Sequence, residues 1–297
     1  MTSARLLSGR LEVLRDATDL LERAGVETAR QDAEWLLASV LGLERFRLYL
    51  EPRRGVSADE AGRYLDLVTR RASREPLQHL LGFEEFHGLR FLVTADVLIP
   101  RPETEGLVQW ALEEMADEPG AVVADVGTGS GAIACALAEG RPDLGVFAVE
   151  RSLPALAIAA LNTGRLGLSR RVRLLAGDLL APFAPRTLDL VVANPPYVPT
   201  AVMPSLPAEV SRFEPREALD GGRDGLLVLR RIIEQAPAVL RPRGRLMMEI
   251  GEEQAGPLAS LLAAEGFTGI EARRDLAGRE RYIVGRWATA SAPRSAC

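Results

Sequence analysis

Val122-Val123-Ala124-Asp125-Val126 runs directly into Gly127-Thr128-Gly129-Ser130-Gly131, and a helical pattern begins at Ile133. A short run of small and β-branched apolar residues bounded by turn residues reads as a buried strand. The glycines that follow let the backbone take turns that a side chain would block and approach a ligand closely. Gly127, Gly129 and Ala132 satisfy the spacing G-x-G-x-x-G/A, which carries meaning when a strand precedes it, a helix follows it and an acidic residue stands about 20 residues on. Glu150, closing the next apolar run, is that residue and is placed to bond a ribose. These features point to an adenosine-containing ligand. They fit a nicotinamide cofactor and S-adenosylmethionine equally.

Outward from this stretch, short apolar runs alternate with helical ones. Strands are expected at Val122–Val126, Val146–Val149, Val172–Ala176, Leu188–Ala193, Arg245–Ile250 and Arg281–Gly285, with a weaker one near Thr268–Ala272. Helices are expected at Glu103–Met115, Ile133–Glu139, Pro154–Asn162, Leu226–Val239 and Gln254–Glu265. Such alternation builds a mostly parallel sheet covered on both faces, with ligands at the carboxyl ends of its strands. Residues 1–80 read differently. Leu11, Leu14, Leu20 and Leu21 recur at helical spacing, as do Ala33, Leu36, Leu37 and Val40, and then Leu65, Leu67 and Val68. Ser57-Ala58-Asp59-Glu60 has the capping-box form. The expectation is a small helical bundle in which Arg53-Arg54 and Arg70-Arg71 are solvated. Phe86 to Val93, aromatic and branched around Gly88, predicts a hairpin, and Pro100-Arg101-Pro102 marks a boundary. The organisation is therefore a helical domain at 1–80, a hairpin linker at 81–102, an α/β domain at 103–287 and a disordered tail at 288–297.

Composition narrows the class. At 47% hydrophobic and 26% charged residues, the balance is that of a soluble globular protein. A net charge of −5 argues against stable, broad binding to nucleic acid. The two cysteines, Cys135 in an apolar run and Cys297 at the end, and the two histidines, His79 and His87, have no metal-ligand spacing, so no metal is expected. Met1 to Arg10 lacks a signal-peptide core and no apolar run approaches membrane-spanning length, so a cytoplasmic protein without membrane association is expected.

The chemistry is carried by Asn194-Pro195-Pro196-Tyr197, where the apolar run Leu188–Ala193 stops. Two prolines stiffen the turn and remove two backbone donors, leaving acceptors: the Asn194 side-chain oxygen and the Pro195 carbonyl. Two fixed acceptors can hold both hydrogens of an NH2 group and aim its nitrogen at an electrophile. Tyr197 can lie along a planar substrate group. Asp178, after the third strand, stands where an adenine amino group could be bonded.

At these residues the sequence resembles the HemK/PrmC protein-(glutamine-N5) methyltransferases, which act on peptide-chain release factors. The resemblance extends to Pro76–Gly82, Val97–Glu105, Glu214-Pro215, Ala218–Gly222, Asp224–Leu226, Glu249-Ile250-Gly251, Gln254 and Asp275–Arg279, nearly the whole chain. It implies a seven-stranded class I (Rossmann-like) methyltransferase domain behind a helical N-terminal domain and a linking hairpin. It implies S-adenosylmethionine as cofactor and, as protein substrate, the glutamine of the Gly-Gly-Gln loop of class-1 release factors. Carried over by position, Gly127, Thr128, Gly129, Ser130 and Gly131 would hold the methionine end of the cofactor and Glu150 its ribose. Asp178 and Leu179 would border the adenine, and Asn194 would touch both cofactor and substrate. Asn194, Pro195, Pro196 and Tyr197 would hold the glutamine, with Arg101, Glu103 and Thr104 near the mouth. Glu150 stands where Asp is usual, Leu179 where a bulkier aromatic can occur, and His87 where Tyr is common. Two other activities would use similar acceptors. One is methylation of a ribosomal-protein glutamine, against which Pro100 to Glu105 favours the release-factor branch. The other is methylation of the adenine N6 of a nucleic acid, against which the acidic balance counts.

Overall fold

The computed structural model describes residues 6–50 and 55–288. Arg53-Arg54 and all of the expected tail except Ala288 lie outside them. The chain forms two compact units: the first runs up to Phe83 and includes Pro207–Phe213, and the second comprises Glu84–Leu206 and Glu214 onward.

In the first unit, β1 (Leu6–Gly9) pairs antiparallel with β2 (Gly55–Ser57). Around them stand α1 (Arg10–Arg23), α2 (Ala29–Leu41), α3 (Ala58–Ala72) and the single turn α4 (Leu77–Leu81). Leu14, Leu21, Leu36 and Leu37 are fully buried, as their spacing predicts. The capping box forms: Ser57 N donates to Glu60 Oε2 at 2.8 Å and Glu60 N to Ser57 Oγ at 3.3 Å. Three expectations fail, the first at Leu11, which is exposed on α1. Leu65 is exposed because the inward stripe of α3 is Tyr64, Val68 and Arg71, spaced i, i+4, i+7. Arg71 is buried, not solvated: its guanidinium donates to Asp32 Oδ2 at 2.7 Å and to Glu209 Oε1 at 3.0 Å, while neighbouring Arg70 is exposed and binds Glu75. Burial of Arg71 is tolerable only because both carboxylates accept from it.

The second unit opens within β3 (Phe83–Phe86), whose first residue closes the first unit, and continues to β4 (Leu89–Leu92) through His87 and Gly88. Both linking residues have positive φ, 51° and 74°, as a two-residue hairpin turn of type I′ requires. The succession continues with α5 (Pro102–Glu114), β5 (Val122–Val126), α6 (Ala132–Gly140), β6 (Gly145–Glu150), α7 (Leu153–Arg165), β7 (Val172–Ala176) and β8 (Leu188–Ala193). The short α8 (Ala208–Phe213) falls within the segment that belongs to the first unit. Then come α9 (Leu227–Val239), β9 (Leu240–Glu249), α10 (Ala255–Ala264), β10 (Phe267–Arg274) and β11 (Glu280–Trp287). The seven strands lie in the order β10-β11-β9-β8-β5-β6-β7. All neighbours from β9 to β7 are parallel, whereas β11 is antiparallel to both β9 and β10. The expected strand at Arg245 starts earlier, at Leu240, with a register shift against β8 that accommodates Pro242 and the positive φ of Arg243. Cys135 is fully buried in α6, and burial pushes its thiol up to about 12.

The strand order reverses between β5 and β8, since β6 and β7 follow on one side and β9 on the other. That is the switch point, where two connections leave in opposite directions and open a crevice.

Candidate active site

Register places the two sequence motifs side by side. Val126 of β5 pairs with Ala193 of β8, so Gly127 and Asn194 leave the sheet together at the switch point. They open into a cavity of about 290 Å³ whose wall includes Gly127, Thr128, Gly129, Ser130, Glu150, Asp178, Leu179, Asn194, Pro195, Pro196 and Arg101. Gly131 caps α6 just behind it. Two further expected residues are, like Gly131, not in that wall. Glu103 is exposed, and its carbonyl accepts from the Tyr282 hydroxyl. Tyr197 points instead to Glu249.

The glycine loop is held from behind. Gly127, Gly129 and Gly131 have φ of 74°, 55° and 84°. A Cβ added at Gly127 or Gly129 would meet nothing within 4 Å, so this backbone faces open space in the cavity. Thr128 Oγ1 donates to Asp125 Oδ2 at 2.5 Å, and Ala134 N donates to the same oxygen at 3.1 Å. Burial pushes the Asp125 carboxyl up to about 7. Glu150 accepts from Gly129 N at 3.0 Å and from Ser152 N at 2.9 Å, one to each oxygen. Each carboxylate oxygen keeps a lone pair for a hydroxyl. An open backbone cradle beside a fixed carboxylate fits the methionine and ribose parts of S-adenosylmethionine.

Elsewhere in the cavity lining, Asp178 accepts from Arg231 at 2.5 Å, a partner that the sequence did not reveal. Leu179 holds φ at 51°, a conformation uncommon for leucine and typical of residues whose surroundings fix them. Arg101 donates to Glu214, whose other oxygen accepts from Ile99 N at 3.2 Å. Burial raises the Glu214 carboxyl and Arg101 opposes the rise.

The Asn194 turn is also braced. Asn194 Nδ2 donates to Thr104 Oγ1 at 3.1 Å, and Thr104 donates onward to Glu249 Oε2 at 2.7 Å. The Tyr197 hydroxyl donates to Glu249 Oε1 at 3.2 Å. Gln254 Nε2 donates to the Tyr197 carbonyl at 3.0 Å. Burial pushes the Glu249 carboxyl up to about 7 against the pull of Thr104, Arg281 and Tyr197. Sequence reasoning placed Thr104 only near the mouth and gave Glu249 no role. One signal was present: Glu249 is an acid closing the apolar run Leu246-Met247-Met248, at the edge where Glu150 and Asn194 also stand. Among the described residues, no group of three or more His, Cys, Asp or Glu is placed to hold a metal ion.

A seven-stranded sheet with a reversed C-terminal strand, a glycine loop and acid at its first two parallel strand ends, and Asn-Pro-Pro-Tyr at the switch point define a class I, S-adenosylmethionine-dependent methyltransferase. Residues 12–82 match the PrmC N-terminal domain and residues 108–205 the methyltransferase small domain. The chain belongs to the release factor glutamine methyltransferase family. It is 45% identical to the release factor glutamine methyltransferase of Geobacter sulfurreducens, over 90% of this chain and 92% of that one. It is likewise 45% identical to that of Moorella thermoacetica, over 92% and 96%. A methyltransferase from Pyrococcus furiosus, 17% identical, shares the fold with a TM-score of 0.51 over 68% of this chain and 90% of that one.

Proposed function

We propose that the chain transfers a methyl group from S-adenosylmethionine to the side-chain amide nitrogen, N5, of the glutamine in the Gly-Gly-Gln loop of class-1 release factors, and so modulates translation termination in the cytoplasm. The single observation that carries this reading is the Asn194-Pro195-Pro196-Tyr197 turn standing beside the glycine loop at the switch point. The names of the relatives supply the substrate.

S-adenosylmethionine, when bound, supplies a methyl group on a positively charged sulfur that departs as a neutral thioether. Gly127 to Gly131 and Glu150 hold it, with Asp178 and Leu179 at the adenine. Asn194 Oδ1 and the Pro195 carbonyl accept the two amide hydrogens of the glutamine, and Pro196 and Tyr197 keep that turn rigid. The amide nitrogen is a weak nucleophile because its lone pair is delocalised into the carbonyl. Alignment and exclusion of water therefore carry the rate. The nitrogen becomes acidic as the new N–C bond forms, so one of its two protons is lost to solvent after attack and no strong base is needed beforehand. Arg101 and Glu103 border the entrance for the substrate loop. Residues 1–80 are assigned to recognition of the body of the release factor, 81–102 to the linking hairpin and 103–287 to transfer.

Mass spectrometry of an intact release factor after incubation with enzyme and cofactor tests the reading. One added methyl on the glutamine that follows the two glycines is expected. An unmodified glutamine, with methylation found instead on a ribosomal protein or on adenine, would overturn it.

A further inference from the structure

Ala193 of β8 pairs with Met248 of β9, so the residues that follow, Asn194 and Glu249, stand at adjacent strand ends. Thr104 of α5, 4% exposed, lies between them. Its hydroxyl has one hydrogen, and that hydrogen goes to Glu249 at 2.7 Å. Only lone pairs then remain to face Asn194, which must turn its NH2 toward Thr104, as it does at 3.1 Å. Asn194 Oδ1 is thereby turned away from Thr104. We propose that Thr104 and Glu249 are positioning residues for methyl transfer, whose hydrogen-bond chain fixes the acceptor end of the Asn194 amide toward the substrate NH2. This inference rests on the proposed glutamine reading and adds to it the residues that orient the acceptor.

The direction of the chain depends on a charge. An ionised Glu249 can only accept. A neutral one can donate to Thr104, whose own hydrogen then turns to Asn194; the amide reverses and presents NH2 to NH2. The groups that surround this carboxyl are Thr104 and Glu103 of α5, Tyr197 of the turn, and Arg281 and Tyr282 of β11, with Arg281 itself held by Asp275 at 3.2 Å. Burial outweighs Thr104, Arg281 and Tyr197 and brings the carboxyl up to about 7. Turnover therefore rises with pH through that region.

The test is steady-state methylation of an intact release factor by the full chain as wild type, T104V, T104S and E249Q, from about pH 6 to 8.5. T104V is expected to lower kcat about 10–100-fold and leave the cofactor KM within about twofold, with T104S regaining most of the rate. Wild-type kcat is expected to climb with one ionisation, and E249Q, which has no proton to lose, to be flat across the range. Wild-type kcat in T104V, or an unchanged acidic limb in E249Q, would overturn the proposal. Should E249Q not fold, the T104V and T104S pair and the wild-type profile decide. Turnover by wild type with an unimpaired T104V sinks this inference alone, whereas no turnover by wild type at any pH sinks the glutamine reading with it.

Discussion

Asn194 and Glu150 divide the work of the site between them. Asn194 offers an acceptor used on the substrate, so Asn194→Ala is expected to abolish methyl transfer, a loss of at least about 100-fold in kcat, while calorimetry still detects cofactor binding. Full activity with labelled cofactor would remove Asn194 from the mechanism. Glu150→Ala removes the carboxylate beside the glycine cradle, and a cofactor affinity weaker by about tenfold or more is expected for a lost charge-assisted hydrogen bond. The buried carboxyls give a further prediction. Asp125 and Glu249 hold their protons up to about 7 in the folded chain and to about 4 when unfolded. The folded state therefore binds more protons between those values, and stability falls as pH rises from about 4 to 7 and levels off above that. Melting temperatures should decline across that range, less so in Asp125→Asn. A flat or rising curve in the wild type would show that these carboxyls ionise normally. Depressed acids such as Asp143 and Asp224 act only at lower pH and do not offset the trend.

At the level of elements, what the chain states locally could be read and what register decides could not. The strand at Val122–Val126, the glycine loop and the Pro-Pro turn are each contiguous, and their chemistry follows from their own residues. The meeting of Asn194, Thr104 and Glu249 depends on the pairing of β8 with β9 and on the seating of α5, across 90 and 145 positions of chain. Arg71 was misplaced for a related reason: its carboxylate partners, Asp32 and Glu209, are distant in sequence. Gly225 shows how tightly the loops after the catalytic turn are fitted. Its φ is 76°, and an added Cβ would run into the Tyr197 carbonyl and, at 2.7 Å, into Gln254 Nε2. Gly225→Ala should cost about 1–3 kcal/mol of stability and lower kcat by displacing the turn. A melting curve and turnover number equal to wild type would show that the loop gives way freely.

At the scale of the whole molecule, the first unit is built from two separated stretches, since Pro207–Phe213 belongs with the residues up to Phe83. Glu209 fastens this second stretch, accepting from Arg71 at 3.0 Å and from Arg74 at 2.7 Å on each oxygen. Glu209→Ala is expected to destabilise the helical unit by about 1.5–3 kcal/mol, the worth of hydrogen bonds to a charged group. Hydrogen exchange should then quicken in α3 and in residues 207–213 together; quickening in only one of them would show that the two are not coupled. The excursion begins ten residues after the catalytic turn closes and ends at Phe213, just before Glu214, which steadies Arg101 and Ile99. The helical unit is thus not a cassette that one cut at the chain's start can remove. A shortened gene that drops only the leading helices would leave α8 behind with Glu209 stripped of Arg71 and Arg74, in the segment between the catalytic turn and Glu214. To remove the helical unit whole, both stretches have to go at once.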